Sequence, residues 1–304
     1  MGHVARSVGL IRDLLLRENE VFVACDAVQR RAFESYFPAL TYIAHAGYPF
    51  AFSGKGTFGL DLFRNRRRLL ARYGQEQGEV AQIVSDWQID LVISDHRYGF
   101  FSKAVPSIFV THQLHLPLRW YQWPAQWVHR KLLQHFGHVW CLDTADHHLA
   151  GKLSEPISHP DIAYIGPFSR FAPDTRGEIQ YTHLFVVSGP EPYAETFFGE
   201  VLRFATGKED AMACVVPKNY ETGEIPANLT VYTAEDWQET DLLFYQSGWI
   251  VSRAGYSTLM DLEVLDKNAI LIPTRGQAEQ LYLGQLHQHS EKWIFRPGLE
   301  TPGC

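Results

Sequence analysis

The chain has 304 residues, of which 46% are hydrophobic and 20% are charged, and its formal net charge is −7. This length and composition predict a globular protein with two domains, and they exclude a disordered or low-complexity chain. The sequence has no recognisable signal peptide and no apolar run of the roughly 18 residues that a membrane-spanning helix needs, which favours a cytoplasmic location.

Short apolar runs alternate with helical patterns along most of the chain. The first segment, GHVARSVGLIRDLL, has helical spacing, and the strand-type run VFVAC (21–25) follows it. Further helices are predicted near residues 28–36, 62–84 and 120–136, and further strands at 91–94, 106–112 and 138–143. The second half contains five more strand-type runs, HLFVVSG, AMACVVP, NLTVYT, GWIVSRAG and AILIPTRG. Strands that are separated by helices predict βαβ units and parallel sheets.

A stretch rich in Pro and Gly, YIGPFSRFAPDTRGEIQ (164–180), lacks periodicity and is interpreted as a linker. The charge balance changes at the same place. Residues 1–165 carry 17 Lys and Arg against 15 Asp and Glu, whereas residues 166–304 carry 10 against 19. Different partners for the two halves would explain this difference, and so would surface charge without functional meaning. We predict two doubly wound, Rossmann-like α/β domains, residues 1–165 and 166–304, that face a cleft.

Three strand-to-helix turns of the second half each combine Ser or Thr with Gly. They lie in LFVVSGPEPYAETF (184–197), WIVSRAGYSTLMDL (249–262) and ILIPTRGQAEQLYL (270–283). In a parallel sheet, such turns emerge at the carboxyl ends of the strands, where ligands bind. Glycine lets a ligand approach the backbone closely, and the free N–H groups of the first helical turn attract phosphate. One turn of this kind is more often a plain helix cap, but three together predict a diphosphate site.

The middle turn offers the clearest candidates for binding a nucleoside diphosphate. Arg253 supplies a positive charge, and Gly255 allows close approach of the ligand. Ser257 and Thr258 can both cap the helix and donate their hydroxyl groups. Asp261 lies one turn into the helix and can accept two hydrogen bonds from a ribose diol.

VSRAGYSTLMDL followed by ILIPTRGQAEQLYL is similar to the donor-nucleotide half of GT-B glycosyltransferases, in particular to the MurG-type family 28. That family has an R-S-G-x-x-T-x-x-E turn and then a P-x-x-x-x-x-x-Q-Q helix. The resemblance covers roughly residues 184–290 of the chain. It implies that Arg253, Gly255 and Thr258 hold the diphosphate, and that Asp261, which stands in place of a glutamate, binds the ribose.

The same resemblance implies further donor contacts in the other two turns. Gln280 matches the first glutamine, which grips sugar hydroxyls, whereas Leu281 stands at the position of the second. Gln277 and Glu279 are additional candidates by their position at the helix start. Gly189 matches the end of the family's first strand of this domain.

By this resemblance, the chain is an enzyme that moves a sugar from a UDP-sugar donor to an acceptor hydroxyl, with inversion at the anomeric carbon. Backbone amides, Arg253 and Thr258 would stabilise the departing diphosphate, so neither a metal nor a cofactor is expected. His147 and His148 are adjacent, but they lack companion ligands at a spacing that suits a metal. Two alternatives remain: a nucleotide-sugar epimerase or hydrolase on the same scaffold, and a non-catalytic UDP-sugar-binding subunit that needs a partner.

Family 28 enzymes begin with a strand and a glycine-rich turn that ends in Gly-His, and Gly2-His3 resembles the end of that turn. The resemblance implies that this chain begins just after the family's first strand. Either upstream residues are missing, which we favour, or the fold has adapted. His3 is then the best candidate for the base that takes the proton of the acceptor hydroxyl, the alternative being an ordinary terminal histidine. His112, in PSIFVTHQLH, weakly matches the family's H-E-Q-N turn, and Asp95 follows another strand. Both are further catalytic candidates, and a solvated loop explains the position of Asp95 equally well.

Two stretches, FRNRRRLLARYG (63–74) and LRWYQWPAQWVHRKLLQHF (118–136), mix basic and aromatic residues as interfacial helices do. Contact with the inner face of a membrane, where a lipid-linked acceptor would dock, is one interpretation of this pattern. A solvated helix face explains the first stretch at least as well, and tryptophans buried between domains would explain the second. The overall acidity and the lack of a known basic binding module argue against a nucleic-acid partner.

Overall fold

The computed structural model describes residues 2–47, 58–117, 123–159, 161–172, 178–189, 191–220, 224–234, 237–274 and 276–299, without the side chains of residues 2, 58–64 and 66. The chain forms two compact units. The composite unit contains residues 1–45, 54–56 and 168–304, and the middle unit contains residues 46–53 and 57–167. Residues 1–45 thus group with the carboxyl-terminal part of the chain. The predicted division into domains 1–165 and 166–304 stays a prediction.

Helices and strands alternate along the chain. In order, the elements are α1 (Gly2–Leu16), β1 (Phe22–Cys25), α2 (Ala27–Tyr36), β2 (Thr41–Ala44), α3 (Phe58–Asp86), β3 (Val92–Asp95), β4 (Ser107–Thr111), α4 (Trp123–Leu133), β5 (His138–Cys141), β6 (Ile162–Tyr164), β7 (Tyr181–Val186), α5 (Tyr193–Ala205), β8 (Met212–Val216), β9 (Leu229–Thr233), α6 (Trp237–Tyr245), β10 (Ser247–Arg253), α7 (Tyr256–Leu265), β11 (Asn268–Ile272), α8 (Ala278–Leu286) and β12 (Trp293–Phe295).

The composite unit is built on a six-stranded parallel sheet with the strand order β12-β11-β10-β7-β8-β9. The order reverses between β7 and β10, where Phe185 pairs in register with Val251. In open parallel sheets, such a reversal opens a crevice outside the carboxyl ends of the two strands. One face of the sheet packs on α5 through fully buried side chains that include Phe185, Phe197 and Val201. This packing fixes the turn that follows β7 beside the turn that follows β10.

The helices α1 and α2 and the two-stranded parallel sheet β1–β2 form a small amino-terminal layer of the composite unit. Asp26 caps α2 because its side chain accepts hydrogen bonds from the backbone N–H groups of Val28 and Gln29. α2 packs against α6, and α1 packs against α7. A Cβ atom at Gly9 of α1 would lie 2.3 Å from the carbonyl oxygen of Ser169, so only glycine permits this approach.

The middle unit contains a four-stranded parallel sheet with the strand order β3-β4-β5-β6. β4 is buried along its whole length and forms the centre of this core, with Phe109 packed among aromatic neighbours. Beyond β5, the fully buried carboxylate of Asp143 accepts hydrogen bonds from the backbone N–H groups of Leu149 and Ala150 and from the hydroxyl of Ser154. These bonds fix the loop at the carboxyl edge of this sheet.

The structure confirms all nine strands that the sequence predicts, which are β1, β3, β4, β5 and β7 to β11. The sequence pattern does not predict β2, β6, β12 or α6. β6 and β12 have only three residues each, which is too short for a clear alternation of apolar and polar side chains. Within the described ranges, no helix combines the length and the hydrophobicity that crossing a bilayer requires.

Candidate functional site

The three turns with Ser or Thr and Gly lie at one edge of the six-stranded sheet, where they connect β7 to α5, β10 to α7 and β11 to α8. The N-cap residues of these helices are Pro192, Gly255 and Gln277, and none of the three provides a side-chain cap. In α2, by contrast, Asp26 caps the first turn. N–H groups in a first helical turn without such a cap can bind an anionic ligand.

The β10–α7 turn has room for a ligand close to its backbone. A Cβ atom at Gly255 would meet only the Thr258 hydroxyl oxygen, at 3.9 Å, and the φ angle of −78° at Gly255 suits any residue. The fold itself therefore does not require glycine here. Among the described residues, none forms a hydrogen bond with the hydroxyl of Ser257 or of Thr258. The open backbone and the two available hydroxyls suit a phosphate group.

Arg253 ends β10 and connects two of the turns. Its guanidinium lies over the ring of Phe197, 4.6 Å from the centroid, and its Nη2 donates to the carbonyl oxygen of Tyr193 at 3.2 Å. Within the described part of the chain, its buried Nε has no hydrogen-bond partner. Burial lowers the pKa of Arg253, while the nearby Glu200 carboxylate acts in the opposite direction. The guanidinium thus lies against the beginning of α5, while the backbone of Arg253 leads into the turn that follows β10.

The β7–α5 turn already contains an anion of the protein. Gly189 has a φ of +109°, a conformation that favours glycine. Two residues later, Glu191 accepts a hydrogen bond from the backbone N–H of Glu195 in the first turn of α5, at 3.3 Å. The same carboxylate accepts a hydrogen bond from the hydroxyl of Tyr220 and pairs with Lys218. A ligand phosphate at α5 would compete with Glu191, a residue that no sequence pattern singled out. The geometry at the start of α7 therefore suits a phosphate better than that at α5.

The amide of Gln280 holds the β11–α8 turn together. Its Oε1 accepts a hydrogen bond from the backbone N–H of Thr274 at 2.7 Å, and its Nε2 donates to Oε1 of Gln277 at 2.6 Å. Glu279 lies beside it in the first turn of α8. The contacts of Gln277, Glu279 and Gln280 with a donor sugar stay predictions.

Asp261 lies in a buried group of charged and polar side chains, the Arg170 cluster, which consists of Ser169, Arg170, Asp241 and Asp261. The hydroxyl of Ser169 donates to one oxygen of Asp261 at 2.5 Å, and Nη1 of Arg170 donates to the other at 3.2 Å. Nε of Arg170 donates to Asp241 at 2.5 Å. The side chain of Arg170 is 12% exposed and that of Asp261 is 7% exposed. Both oxygens of Asp261 are therefore engaged within the protein, and its predicted contact with ribose would have to displace these partners.

The Arg170 cluster should make stability depend on pH. Burial raises the pKa of Asp261 from 3.8 to about 6, against the effects of Arg170 and Ser169, and Asp241 raises it further. The folded chain then takes up a proton at a higher pH than the unfolded chain. Lowering the pH from about 7 to about 5 should therefore increase the free energy of unfolding by on the order of 1 kcal/mol through this carboxyl. The gain is lost as the pH rises through the pKa of Asp261 in the folded chain.

Urea unfolding of wild type and Asp261→Asn at both pH values would measure this effect. We expect the free energy of unfolding of wild type, relative to that of the variant, to increase at the lower pH. A difference that does not change with pH would contradict the expectation.

The three predicted catalytic residues fall in different units. His3 lies in the first turn of α1 in the composite unit, where its Nδ1 accepts a hydrogen bond from Nη2 of Arg6 at 2.7 Å. Asp95 ends β3 and the buried His112 follows β4, so these two lie at neighbouring strand ends of the middle unit. No group of three His, Cys, Asp or Glu side chains suited to a metal occurs among the described residues. All three catalytic roles stay predictions.

No family model matches the chain, and no curated protein matches its sequence. Its structure is similar to the kitacinnamycin glycotransferase, with a TM-score of 0.67 and 13% identity over 97% of this chain and 83% of that chain. It is also similar to the spinosyn rhamnosyltransferase SpnG complexed with thymidine diphosphate (TM-score 0.60, 12% identity, 98% and 84% covered). The chain has the GT-B fold. The predicted α/β class with two Rossmann-like domains is thereby confirmed.

A third solved structure, MurG of Acinetobacter baumannii, has a TM-score of 0.53 and 10% identity, over 97% of this chain and 82% of that chain. At such low identity, this likeness reflects the shared fold. Membership of family 28 stays a prediction.

Proposed function

We propose that this chain transfers a sugar from a UDP-sugar to the hydroxyl group of an acceptor. The observation that carries the proposal is the β10–α7 turn, where an open glycine backbone, two available hydroxyls and Arg253 meet at the strand reversal of a parallel sheet. A diphosphate bound there would interact with the first-turn N–H groups of α7. GT-B glycosyltransferases among the solved structures support this assignment, and one of them was solved with thymidine diphosphate.

In the proposed reaction, the acceptor oxygen attacks the anomeric carbon on the side opposite the diphosphate, so the configuration inverts. The bond from the anomeric carbon to the diphosphate breaks, and its electron pair leaves with UDP. Arg253, the hydroxyl of Thr258 and the N–H groups of α7 would stabilise the negative charge that develops there, which is why we propose a reaction without metal or cofactor. A base, which the resemblance assigns to His3, would take the proton of the acceptor hydroxyl.

Calorimetry of the full chain with UDP tests the donor site, and turnover of UDP-glucose and UDP-N-acetylglucosamine tests the reaction. We expect UDP to bind and sugar transfer to require an acceptor. A folded chain that fails to bind millimolar UDP would refute the proposal. Free sugar or an epimerised donor in the absence of acceptor would favour a hydrolase or epimerase instead. Binding of UDP without any turnover would favour a binding subunit that needs a partner.

We further propose that α4 contacts an anionic membrane surface on the cytoplasmic side, where a lipid-linked acceptor would be available. Trp123 and Trp127 lie one turn apart on this helix and are 67% and 57% exposed. Arg130 and Lys131 follow in the last turn, and the Lys131 ammonium lies 5.8 Å from the ring centroid of Trp127. Exposed tryptophans beside basic residues are typical of interfacial helices.

Replacing Trp123 and Trp127 with alanine should weaken binding to vesicles of phosphatidylglycerol and phosphatidylcholine by on the order of tenfold, since each exposed ring could bury apolar surface. Trp87→Ala is a matched control, because Trp87 is also exposed in the middle unit but lies between Asp86 and Asp90. Cosedimentation measures the affinity. Equal binding by the double variant and the wild type would exclude α4 as the contact.

A further inference from the structure

Three helices of the composite unit form hydrogen bonds with Ser169 and Arg170, and a fourth is linked to them through Asp241. The guanidinium of Arg170 connects α6 to α7 through Asp241 and Asp261. The hydroxyl of Tyr36 in α2 donates to the second oxygen of Asp241 at 2.5 Å. From α1, Nη2 of Arg12 donates to the carbonyl oxygen of Arg170 at 2.9 Å. Hydrogen bonds therefore link all four helices to one short segment, α2 through Asp241 and the others directly.

The surroundings of the Arg170 guanidinium favour a rigid arrangement. Its central carbon lies 4.6 Å from the ring centroid of Phe171, 5.2 Å from that of Phe244 and 5.5 Å from that of Trp237. Hydrogen bonds between charged groups are stronger in such apolar surroundings than in water, and their partners are costly to separate.

The two helices that matter most for the proposed reaction both depend on this segment. α1 carries His3 and contacts the segment through Arg12 and through the close approach of Gly9 to Ser169. α7 begins at the proposed diphosphate turn and contacts the segment through Asp261, in its second turn. A shift of the segment would thus move α1 relative to α7.

We propose that Arg170 is a positioning residue, which holds the helix that carries His3 against the helix that would bind the donor diphosphate. This inference rests on the proposed function. Asp261 then acts inside the protein, as the partner of Arg170 and Ser169, and does not bind the ribose of the donor. A misplacement of about 1 Å between reacting groups can cost roughly 10²-fold in rate, so such a residue affects turnover without touching the substrate.

Removing Arg170 alone would leave two buried carboxylates without their cation and could unfold the chain. The informative variant therefore neutralises the whole group, as Arg170→Met with Asp241→Asn and Asp261→Asn. Replacement of a complete buried ion triad by neutral residues is often tolerated. The matched control is Arg97→Met with Glu76→Gln, which neutralises an ion pair of the same 2.5 Å length between the buried Glu76 and the partly buried Arg97 of the middle unit.

Hydrogen exchange tests the positioning of α1 without any substrate. In the triple variant, we expect the amides of α1 to exchange at least about tenfold faster, while those of β3 to β5 keep their protection. The control variant should leave α1 unchanged. Unchanged exchange in α1 of the triple variant would overturn the proposal, whether or not the chain proves to bind UDP.

Turnover separates positioning from donor binding. The triple variant should bind UDP within about threefold of wild type and release UDP from UDP-sugars roughly 10²-fold more slowly. The control variant should retain the wild-type rate. If UDP fails to bind wild type, the proposed function is refuted. The hydrogen exchange of the α1 amides then decides by itself whether Arg170 positions α1. If the triple variant turns over at the wild-type rate, Arg170 has no positioning role in the reaction.

Asp261→Asn separates the role of Asp261 inside the protein from ribose binding. The affinities for UDP and for 2′-deoxy-UDP are measured in both proteins. The ratio of these two affinities should be the same in Asp261→Asn as in wild type. If the carboxylate binds the ribose diol, the variant would lose preference for the ribonucleotide, and that result would overturn this part of the proposal.

Discussion

Replacing His3 with alanine should slow sugar transfer by roughly 10²–10⁴-fold, the usual contribution of a positioned acid or base, while UDP binds as before. The imidazole lies on α1, which packs against α7, the helix that begins at the proposed diphosphate turn. Arg6 can only donate hydrogen bonds, so Nδ1 of His3 accepts from it, and the proton of the neutral ring resides on Nε2. To take a proton from the acceptor, Nδ1 must therefore exchange its bond with Arg6 for one with the acceptor hydroxyl.

The measurement is the rate of transfer from the UDP-sugar that turns over fastest, together with the affinity for UDP. His289→Ala is a suitable control, because His289 is an exposed histidine of the same unit. A rate within a few fold of wild type for His3→Ala would remove His3 from the mechanism and direct attention to Asp95 and His112. A parallel loss of UDP affinity would instead indicate a disturbed donor site.

The alternation of strands and helices was predictable because each β-type run is short, apolar and bounded by Gly, Pro or polar residues. β8 and β11 are examples. Both strands are buried along almost their whole length, and their sequences, AMACVVP and AILIP, are correspondingly apolar. The sequence pattern also located the three turns, because the Ser or Thr and the Gly of each turn lie close together in the sequence. Each turn after a parallel strand has a fixed place at the sheet edge, so the three turns could be placed together without coordinates.

The Arg170 cluster could not be predicted in this way. Arg170 lies in a stretch that reads as a linker, and its partners Asp241 and Asp261 are 71 and 91 residues away along the chain. Neither separation leaves a periodic signal. The resemblance assigned Asp261 to the ribose because family motifs describe positions in sequence, whereas the bonds of this carboxylate depend on which helices pack beside α7. The grouping of residues 1–45 with the carboxyl-terminal part likewise depends on such long-range contacts.

Replacing Arg253 with alanine should weaken UDP binding by about 1.5–3 kcal/mol, the range for a hydrogen bond to a charged group, which corresponds to roughly 10- to 10²-fold in affinity. The fold should survive, because the guanidinium forms a single hydrogen bond, to Tyr193, within the described residues and otherwise stacks on Phe197. Arg253→Lys should lose less than Arg253→Ala, since an ammonium keeps the charge but lacks the planar fork.

Calorimetry with UDP, supported by thermal unfolding of each variant, measures these differences. Lys292→Ala is the matched control, because it removes one positive charge from the same unit at an exposed position that pairs with Asp266. It should leave the affinity for UDP unchanged. If Arg253→Ala binds UDP as tightly as wild type, Arg253 is not part of the diphosphate site. If Lys292→Ala weakens binding as much as Arg253→Ala, the loss follows the overall charge of the unit and does not indicate a contact in the turn. Salt dependence separates the two cases further, because a contact inside the turn is screened less than a charge at the surface.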